Sequence, residues 1–459
     1  MIVQQLYTNC LAEAAYYIES DGEAVIIDPI RETKPYLDLL KERGANLKYV
    51  FETHFHADFV SGHIDLSRKT GAPIVFGPGA NPDYEVYHAK DGEVFNVGKA
   101  KLKAIHTPGH TPESTCYLLF DENGKEHAVF TGDTLFVGDV GRPDLLDGKM
   151  SKEELAGMLY DSLNKKIKVL PDDVIVYPAH GPGSACGKSI GTEKQSTIGE
   201  QKVSNYALAD IDKASFIKSV TDGLVAPPAY FFEDARINKT GYSDLDSIIS
   251  QNLKPLSLDA FKALVSEGAE ILDTRIPDEF EKEFIPGSIN IGLNGQFAVW
   301  AGTLLKIDKK IVLVTAPGKE EESVVRLARV GFENVAGYLD GGVAAWKKSG
   351  GSTDQIKSIT PEALKNEYAN LRSQILDVRK SGEYQGNHVA GATLFSLDHL
   401  LKNINDLDKS NPYVIHCAGG YRSMIAASIL RAHGFKNLTN VYGGFSKIQE
   451  TGIPLESGK

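Results

Sequence analysis

The chain has 459 residues, of which 42% are hydrophobic and 24% charged, so at roughly 100–200 residues per domain we expect about three globular domains. The formal net charge of −12 argues against a nucleic acid or an anionic membrane as a partner. The N-terminus shows no signal-peptide pattern, no apolar stretch reaches the ~18 residues of a membrane span, and 4 cysteines are too few for a disulfide framework, so we expect a cytoplasmic protein.

The first part of the chain alternates between short strands and turns. From the spacing of apolar residues we predict strands at 15–19, 24–28, 49–52, 91–103, 115–120, 128–130 and 174–177. A helix is predicted at 35–43, because Pro35 suits a first turn and Gly44 follows its end. Residues 187–250 are assigned to a helical extension of this first domain. The strands that end near residues 52, 130 and 177 run into loops rich in His and Asp, so we expect a site at one edge of a sheet in a layered α/β fold.

From about residue 251 helices and strands alternate, and the sequence repeats itself. ILDTR at 271–275 matches ILDVR at 375–379, and LDGG at 339–342 matches VYGG at 441–444. A repeat of about 100 residues with alternating strands and helices predicts one small α/β domain with a parallel sheet, present twice. We therefore predict domains at 1–250, 251–355 and 356–459, with a linker rich in Gly and Ser at 349–357.

Side chains that suit a metal ion cluster at or just after the strand ends of the first domain. They are His54, His56, Asp58, His110, Asp133 and His180. Imidazole and carboxylate suit zinc or iron, and two His with one carboxylate is the ligand set of non-haem Fe(II) oxygenases. A single histidine would be explained as a satisfied core or surface residue, whereas four His and two Asp in this pattern predict a metal site.

The motifs around these residues resemble those of the metallo-β-lactamase superfamily. They are THFHAD at 53–58, TPGHT at 107–111, TGDTL at 131–135 and PAHG at 178–181. The resemblance implies an αββα sandwich. Within the superfamily the chain is similar to glyoxalase II and, through PES at 112–114 and GDVGRPD at 138–144, more closely to the persulfide dioxygenases.

Position 59 departs from the two-metal hydrolases of this superfamily, which place a second-metal histidine there. The residue here is Phe59, and a phenyl ring cannot ligate. A two-metal site holds its ions about 3.5–4 Å apart and needs both ligand sets, so we favour a single metal. The dioxygenase resemblance implies one Fe(II) per chain, with zinc as the alternative, on His54, His110 and Asp133. Three further residues would orient the ligands or serve as alternative ligands: His56, Asp58 and His180.

The same resemblance implies that O2 oxidises a low-molecular-weight persulfide, of glutathione, bacillithiol or coenzyme A type, to sulfite. Arg142 is predicted to clamp a carboxylate of the thiol carrier, the alternative being a structural salt bridge with Asp139 or Asp144. Cys186 is predicted to bind or relay sulfur, with a pKa lowered by Lys188, the alternative being a small packing residue.

Near the C-terminus a cysteine follows a short apolar strand. The strand, 414–416, leads into Cys417, Ala418, Gly419, Gly420, Tyr421 and Arg422, and a helix is predicted at 423–433. A Gly-rich bend before a helix points backbone N–H groups inward, which stabilises a thiolate or a persulfide anion. Residues 356–459 resemble rhodanese, and the loop has the sulfurtransferase size rather than the longer phosphatase size. Cys417 is therefore the predicted nucleophile, Ala418–Tyr421 the persulfide loop, and Arg422 the residue that closes it.

The first copy of the repeat lacks this nucleophile. Ala316 stands where Cys417 stands, Pro317 has no N–H to donate, and glutamates at 320–322 repel an anion. We expect an inactive rhodanese-like domain with a role in spacing, docking or dimerisation.

The domain order resembles that of bacterial persulfide dioxygenase–rhodanese fusions. This implies sulfide detoxification, in which the iron site makes sulfite and Cys417 transfers a sulfane sulfur to sulfite to give thiosulfate. We also expect a homo-oligomer. Two alternatives are a two-zinc thioester hydrolase of the glyoxalase II kind and a non-catalytic sulfur-sensing or interaction protein.

Overall fold

The structure is a computed structural model that describes residues 1–146, 149–371 and 374–458. It divides into two compact units: Met1–Ser247 with Ala328–Gly331, and Ile248–Leu327 with Phe332–Lys459. In the described ranges no helix combines the length and the apolar character needed to cross a membrane. The predicted domain boundaries at residues 250 and 355 stay predictions.

The first unit contains two sheets of six strands each. The first sheet runs in chain order through β1 (Ile2–Thr8), β2 (Glu13–Ser20), β3 (Glu23–Ile27), β4 (Asn46–Phe51), β5 (Ile74–Phe76) and β6 (Tyr87–His88). The second contains β7 (Val94–Val97), β8 (Ala100–His106), β9 (Thr115–Phe120), β10 (Glu126–Gly132), β11 (Ile175–Pro178) and β12 (Ser196–Thr197). β3 to β6 are parallel, and so are β10 and β11.

Alternation along the strands divides the apolar side chains between two cores. Tyr117 and Leu119 of β9 join a core between the sheets, whereas Cys116 and Leu118 join a core with the helices. The helices of this region are α1 (Lys34–Arg43), α2 (His63–Thr70), α3 (Lys152–Ser162), α4 (Ile198–Ser204), α5 (Lys213–Thr221), α6 (Tyr230–Thr240) and α7 (Leu245–Asn252). The predicted αββα sandwich is therefore confirmed.

Some local predictions need correction. The single strand predicted at 91–103 is two strands, β7 and β8, joined by a turn at Gly98. The strands that end in His/Asp loops belong to both sheets, β4 to the first and β10 and β11 to the second, so the site does not lie at the edge of a single sheet. Residues 187–250 include helices α4 to α6 and most of α7, and β12 adds a strand to the second sheet; their assignment to the first domain stays a prediction.

The second unit contains two parallel sheets with the same strand order. The first runs β13-β17-β16-β14-β15, with β13 (Pro255–Leu256), β14 (Glu270–Asp273), β15 (Ile289–Asn290), β16 (Ile311–Val314) and β17 (Val335–Leu339). The second runs β18-β23-β22-β19-β21, with β18 (Lys357–Ile359), β19 (Ile375–Asp377), β21 (Thr393–Leu394), β22 (Tyr413–His416) and β23 (Leu438–Val441). β20 (His388–Val389) pairs separately with β24 (Leu455–Glu456). The helices are α8 (Leu258–Ser266), α9 (Pro277–Phe280), α10 (Phe297–Leu304), α11 (Glu320–Ala328), α12 (Gly342–Lys348), α13 (Pro361–Leu371), α14 (Ser381–Gly386), α15 (Leu400–Asn403), α16 (Tyr421–Ala432) and α17 (Gly444–Ile448).

The internal repeat extends to individual hydrogen bonds. Arg275 forms a forked ion pair with Asp273 and donates from Nη2 to the carbonyl oxygen of residue 283 at 2.9 Å. Arg379 forms the same pair with Asp377 and donates to the carbonyl oxygen of residue 387 at 2.7 Å. The predicted duplication of one α/β domain is thus confirmed.

Candidate metal centre and sulfurtransferase loop

Three buried side chains from three loops converge in the first unit. His54 follows β4, His110 lies between β8 and β9, and Asp133 follows β10. Oδ2 of Asp133 lies 3.4 Å from Nε2 of His110 and 3.9 Å from Nε2 of His54. Within the described chain none of these three atoms has a hydrogen-bond partner. Such a buried polar atom costs about 1–3 kcal/mol if nothing satisfies it, so the donor set fits a metal ion such as iron or zinc.

The other polar atoms of these residues are engaged by protein groups that orient them. Nδ1 of His110 lies 2.8 Å from the carbonyl oxygen of Arg142, which can only accept, so Nδ1 carries the proton and Nε2 presents its lone pair. The Thr53 hydroxyl donates to Asp28 at 2.8 Å and lies 2.9 Å from Nδ1 of His54, so it accepts from that nitrogen. Both histidines therefore expose a free Nε2 toward Asp133.

Electrostatics set the protonation that metal binding requires. Burial lowers the pKa of His54 well below its usual value, so its ring is neutral. Burial alone would raise the pKa of Asp133, but His180 and His110 hold it far below the usual range, so its carboxylate is anionic. A neutral imidazole and an ionised carboxylate are the forms in which these groups ligate.

His180 bridges two carboxylates beside this cluster. Its Nδ1 lies 2.7 Å from Oδ1 of Asp133 and its Nε2 lies 2.8 Å from Oδ2 of Asp58. Burial opposes the charged form, but the two carboxylates raise the pKa of His180 well above its usual value. Each ring nitrogen of His180 therefore faces a carboxylate oxygen, and the orienting role of His180 and Asp58 stays a prediction.

His56 lies beside His54, at 4.3 Å between ring centroids, but is not among the three ligand atoms. Its Nε2 lies 3.1 Å from Asp28 and 3.6 Å from Glu52, and these residues form a separate buried group. Phe59 is fully buried against the His56 ring, at 4.4 Å between ring centroids. Asp28, Thr53 and Glu52 were not predicted as site residues from the sequence. Asp28 could have been found, because it follows the apolar strand β3 just as Asp133 follows β10.

Arg142 is held by protein groups. Its guanidinium pairs with both oxygens of Asp144, at 2.6 and 2.8 Å, and donates to the carbonyl oxygens of Ala185 and Val225. The structural alternative of a salt bridge with Asp144 accounts for these contacts. A clamp for a substrate carboxylate would have to displace Asp144, and it stays a prediction.

Cys186 lies beside Asp58 and His180 and is buried. Lys188 does not reach its thiol, because Nζ donates to the carbonyl oxygens of Ser219 and Asp222. Burial, followed by the nearby carboxylates, raises the pKa of Cys186 well above the usual value. The expected lowering of this pKa by Lys188 is therefore wrong, and a sulfur-carrying role stays a prediction.

Cys417 directly follows β22, and residues 418–420 connect it to the N-terminus of α16. The amide of Gly420 donates to its Sγ at 3.1 Å, and the Ser423 hydroxyl lies 3.7 Å from it. The amide of Phe445 in α17 donates to the Cys417 carbonyl oxygen at 2.6 Å. A Cβ at Gly444 would come within 2.4 Å of that oxygen, so only glycine permits this approach. The Gly420 amide donor at Sγ suits a thiolate or a persulfide anion.

Arg422 does not close the loop in this structure. It lies in the first turn of α16, which begins two residues before the predicted start, and pairs with both oxygens of Glu383 at 2.7 and 2.8 Å. Its predicted catalytic role stays a prediction. In the first copy Ala316 occupies the corresponding position between β16 and α11, and the first turn of α11 holds three glutamates.

Comparisons with known proteins agree with this architecture. Residues 8–180 match the metallo-beta-lactamase superfamily, and residues 257–349 and 360–451 each match the rhodanese-like domain. Over 186 residues the chain is 38% identical to human mitochondrial persulfide dioxygenase ETHE1, covering 39% of this chain and 68% of that protein. The chain belongs to the metallo-β-lactamase superfamily. It continues beyond the superfamily domain into two rhodanese-like domains.

Other members of the superfamily include proteins named as hydrolases. The chain is 35% identical over 172 residues to the probable hydroxyacylglutathione hydrolase glo2 of Schizosaccharomyces pombe, covering 36% of this chain and 62% of that relative. A solved metallo-β-lactamase structure from Staphylococcus aureus is 33% identical, with a TM-score of 0.66, and covers 74% of this chain and 98% of that one. Because both kinds of relative match, the choice between oxidation and hydrolysis depends on the residues of the site.

Proposed function

We propose that the protein oxidises a low-molecular-weight thiol persulfide to sulfite with O2 at one Fe(II), and that Cys417 transfers sulfane sulfur to sulfite to give thiosulfate. The observation that carries the first reaction is the set of three buried, unpartnered ligand atoms on His54, His110 and Asp133, beside a phenyl ring at position 59. The similarity to a persulfide dioxygenase supports it.

At the first site the three ligand side chains are buried, and neighbouring groups fix their orientation. A bound Fe(II) with two imidazoles and one carboxylate supplies the redox chemistry by which O2 oxidises sulfur. The backbone at Arg142 and the Thr53 hydroxyl hold the two imidazole rings in place. His180 lies between Asp58 and Asp133, and its Nδ1, 2.7 Å from Oδ1 of Asp133, leaves Oδ2 of that carboxylate turned toward the ligand position.

The second site performs a sulfur transfer in two displacements. The Cys417 thiolate attacks the outer sulfur of the persulfide R–S–SH, a new S–S bond forms, and the carrier leaves as its thiolate. The sulfur lone pair of sulfite then attacks the outer sulfur on Cys417, which regenerates the thiolate and releases thiosulfate. The Gly420 amide, 3.1 Å from Sγ, stabilises the negative charge at the start and end of each cycle.

Metal content and O2 uptake with glutathione persulfide test this proposal on the full chain. We expect about one iron per chain and stoichiometric O2 loss. Cys417→Ser should keep O2 uptake and lose thiosulfate formation from persulfide and sulfite, whereas Cys10→Ser, at a half-buried cysteine, should keep both. Two zinc ions per chain with thioester cleavage and no O2 uptake would establish the hydrolase instead.

The hydrolase is the second candidate because a second buried group, Asp58, His180 and Cys186, offers further ligand atoms. Phe59 counts against it, since the ring lies buried against His56 and offers no donor.

A further inference from the structure

The inactive copy of the repeat forms one wall of a cavity at the Cys417 loop. This cavity has a volume of about 160 Å³. Gly419, Gly420 and Tyr421 line it from the active copy, and Asp278 and Asn294 line it from the inactive copy. Its volume is below the roughly 300–1,000 Å³ of pockets that enclose a whole ligand. A molecule entering here would therefore place only its small, sulfur-bearing end inside.

Contacts beside the cavity fix the two copies against each other. The Tyr421 hydroxyl donates to the carbonyl oxygen of Gly292 at 2.7 Å. The Tyr421 ring lies so close to Gly295 that a Cβ there would come within 2.5 Å of it. Farther along α16, Arg431 pairs with both oxygens of Asp354 at 2.7 Å. The wall is thus held in place by specific interactions.

The charge of the lining favours one kind of ligand. Among the described residues that line the cavity, Asp278 alone carries a charge at neutral pH, and it is exposed at the start of α9. Arg422, the cation of the loop itself, is not among the lining residues and is paired with Glu383. The wall therefore offers an anion no positive group, whereas a ligand that brings its own cation meets a carboxylate.

We propose that this cavity binds the sulfur-bearing end of an aminothiol persulfide, with Asp278 receiving the ammonium group and Asn294 contributing a polar contact. The inference rests on the proposed sulfur transfer at Cys417 and names its donor class. The ammonium must be within a few bonds of the sulfur because the cavity is small. Asp278 and Asn294 then determine donor specificity from a domain that has no nucleophile of its own.

A matched pair of donors tests this on the full chain. Cysteamine persulfide carries an ammonium group where 2-mercaptoethanol persulfide carries a hydroxyl group. Formation of the Cys417 persulfide is measured with each donor in single-turnover experiments. An exposed ion pair contributes about 0.2–1 kcal/mol. We therefore expect the concentration of cysteamine persulfide that half-saturates the wild type to be up to about five-fold lower than that of 2-mercaptoethanol persulfide. Asp278→Asn should remove the difference, and Asp278→Lys should reverse it. Glu279→Gln, the exposed neighbour outside the cavity lining, should leave it unchanged.

The outcomes separate the two proposals. If the wild type forms the persulfide equally well from both donors, the aminothiol inference is overturned while the transfer at Cys417 stands. If neither donor produces it, the transfer itself is refuted and the inference falls with it. Because the two donors are compared on the wild type, the aminothiol inference is tested even if a variant fails to fold.

Discussion

Replacing Gly295 with alanine should impair sulfur transfer although Gly295 lies in the copy that lacks a nucleophile. The added Cβ would lie 2.5–2.7 Å from the Tyr421 ring, whereas ordinary contacts begin at 3.4 Å. The ring must therefore retreat by about 1 Å, which weakens the Tyr421 hydrogen bond to Gly292. Tyr421 follows Gly420, whose amide donates to Sγ of Cys417, so the shift reaches the reacting sulfur.

Two magnitudes follow from this displacement. Overpacking costs about 1–3 kcal/mol, which should appear as a lower free energy of unfolding. A misplacement of about 1 Å at a reacting group costs up to about 100-fold in rate, so kcat for thiosulfate formation should fall by about 10- to 100-fold. O2 uptake should be unchanged, because the metal cluster belongs to the other unit.

The assay compares thiosulfate formation and O2 uptake on the same preparations of the full chain. Gly386→Ala is the matched control, since a Cβ at Gly386 meets no atom within 4 Å. The reasoning is refuted if Gly295→Ala transfers sulfur at the wild-type rate, or if both glycine variants lose the same activity.

Three further predictions concern the metal cluster. Phe59→His should restore a second-metal ligand, so zinc-loaded protein should rise from about one to about two ions per chain by elemental analysis; an unchanged content would contradict the role assigned to Phe59. Thr53→Val removes the hydroxyl between Asp28 and His54 and should weaken metal binding by about 10- to 100-fold in a chelator competition, whereas Thr70→Val, on α2, should not. Chelating the metal should abolish O2 uptake and leave transfer at Cys417 intact; loss of both activities would show that the two sites depend on one another.

The features of the fold and of the site that could be predicted from the sequence are those that depend on neighbouring residues in the chain. Apolar strands followed by His54, Asp133 and Cys417 could be recognised because strand periodicity and the residue after each strand are adjacent in the chain. The convergence of His54, His110 and Asp133 followed from the family motifs. That their strands come from two sheets could not be seen, because strand order is set by long-range pairing.

The contacts that differ most from the sequence-based expectation are those of long charged side chains. Arg422 and Lys188 were expected to lie close to nearby cysteines. Arg422 pairs with Glu383 instead, and Lys188 donates to the carbonyl oxygens of residues 219 and 222. Arg142 pairs with Asp144, one of the two partners considered from the sequence. A side chain with four or more rotatable bonds reaches partners distant in the chain, so spacing alone does not determine its contact.

Although the first copy has Ala316 where the second has Cys417, we expect it to remain under selection. Because Gly295 leaves room for the Tyr421 ring and Asp278 lines the Cys417 cavity, substitutions at these positions should be purged as strictly as those in the cysteine loop itself. If the proposal holds, a duplicated domain without a nucleophile contributes half of its neighbour's binding site, and the two copies are expected to evolve as one unit.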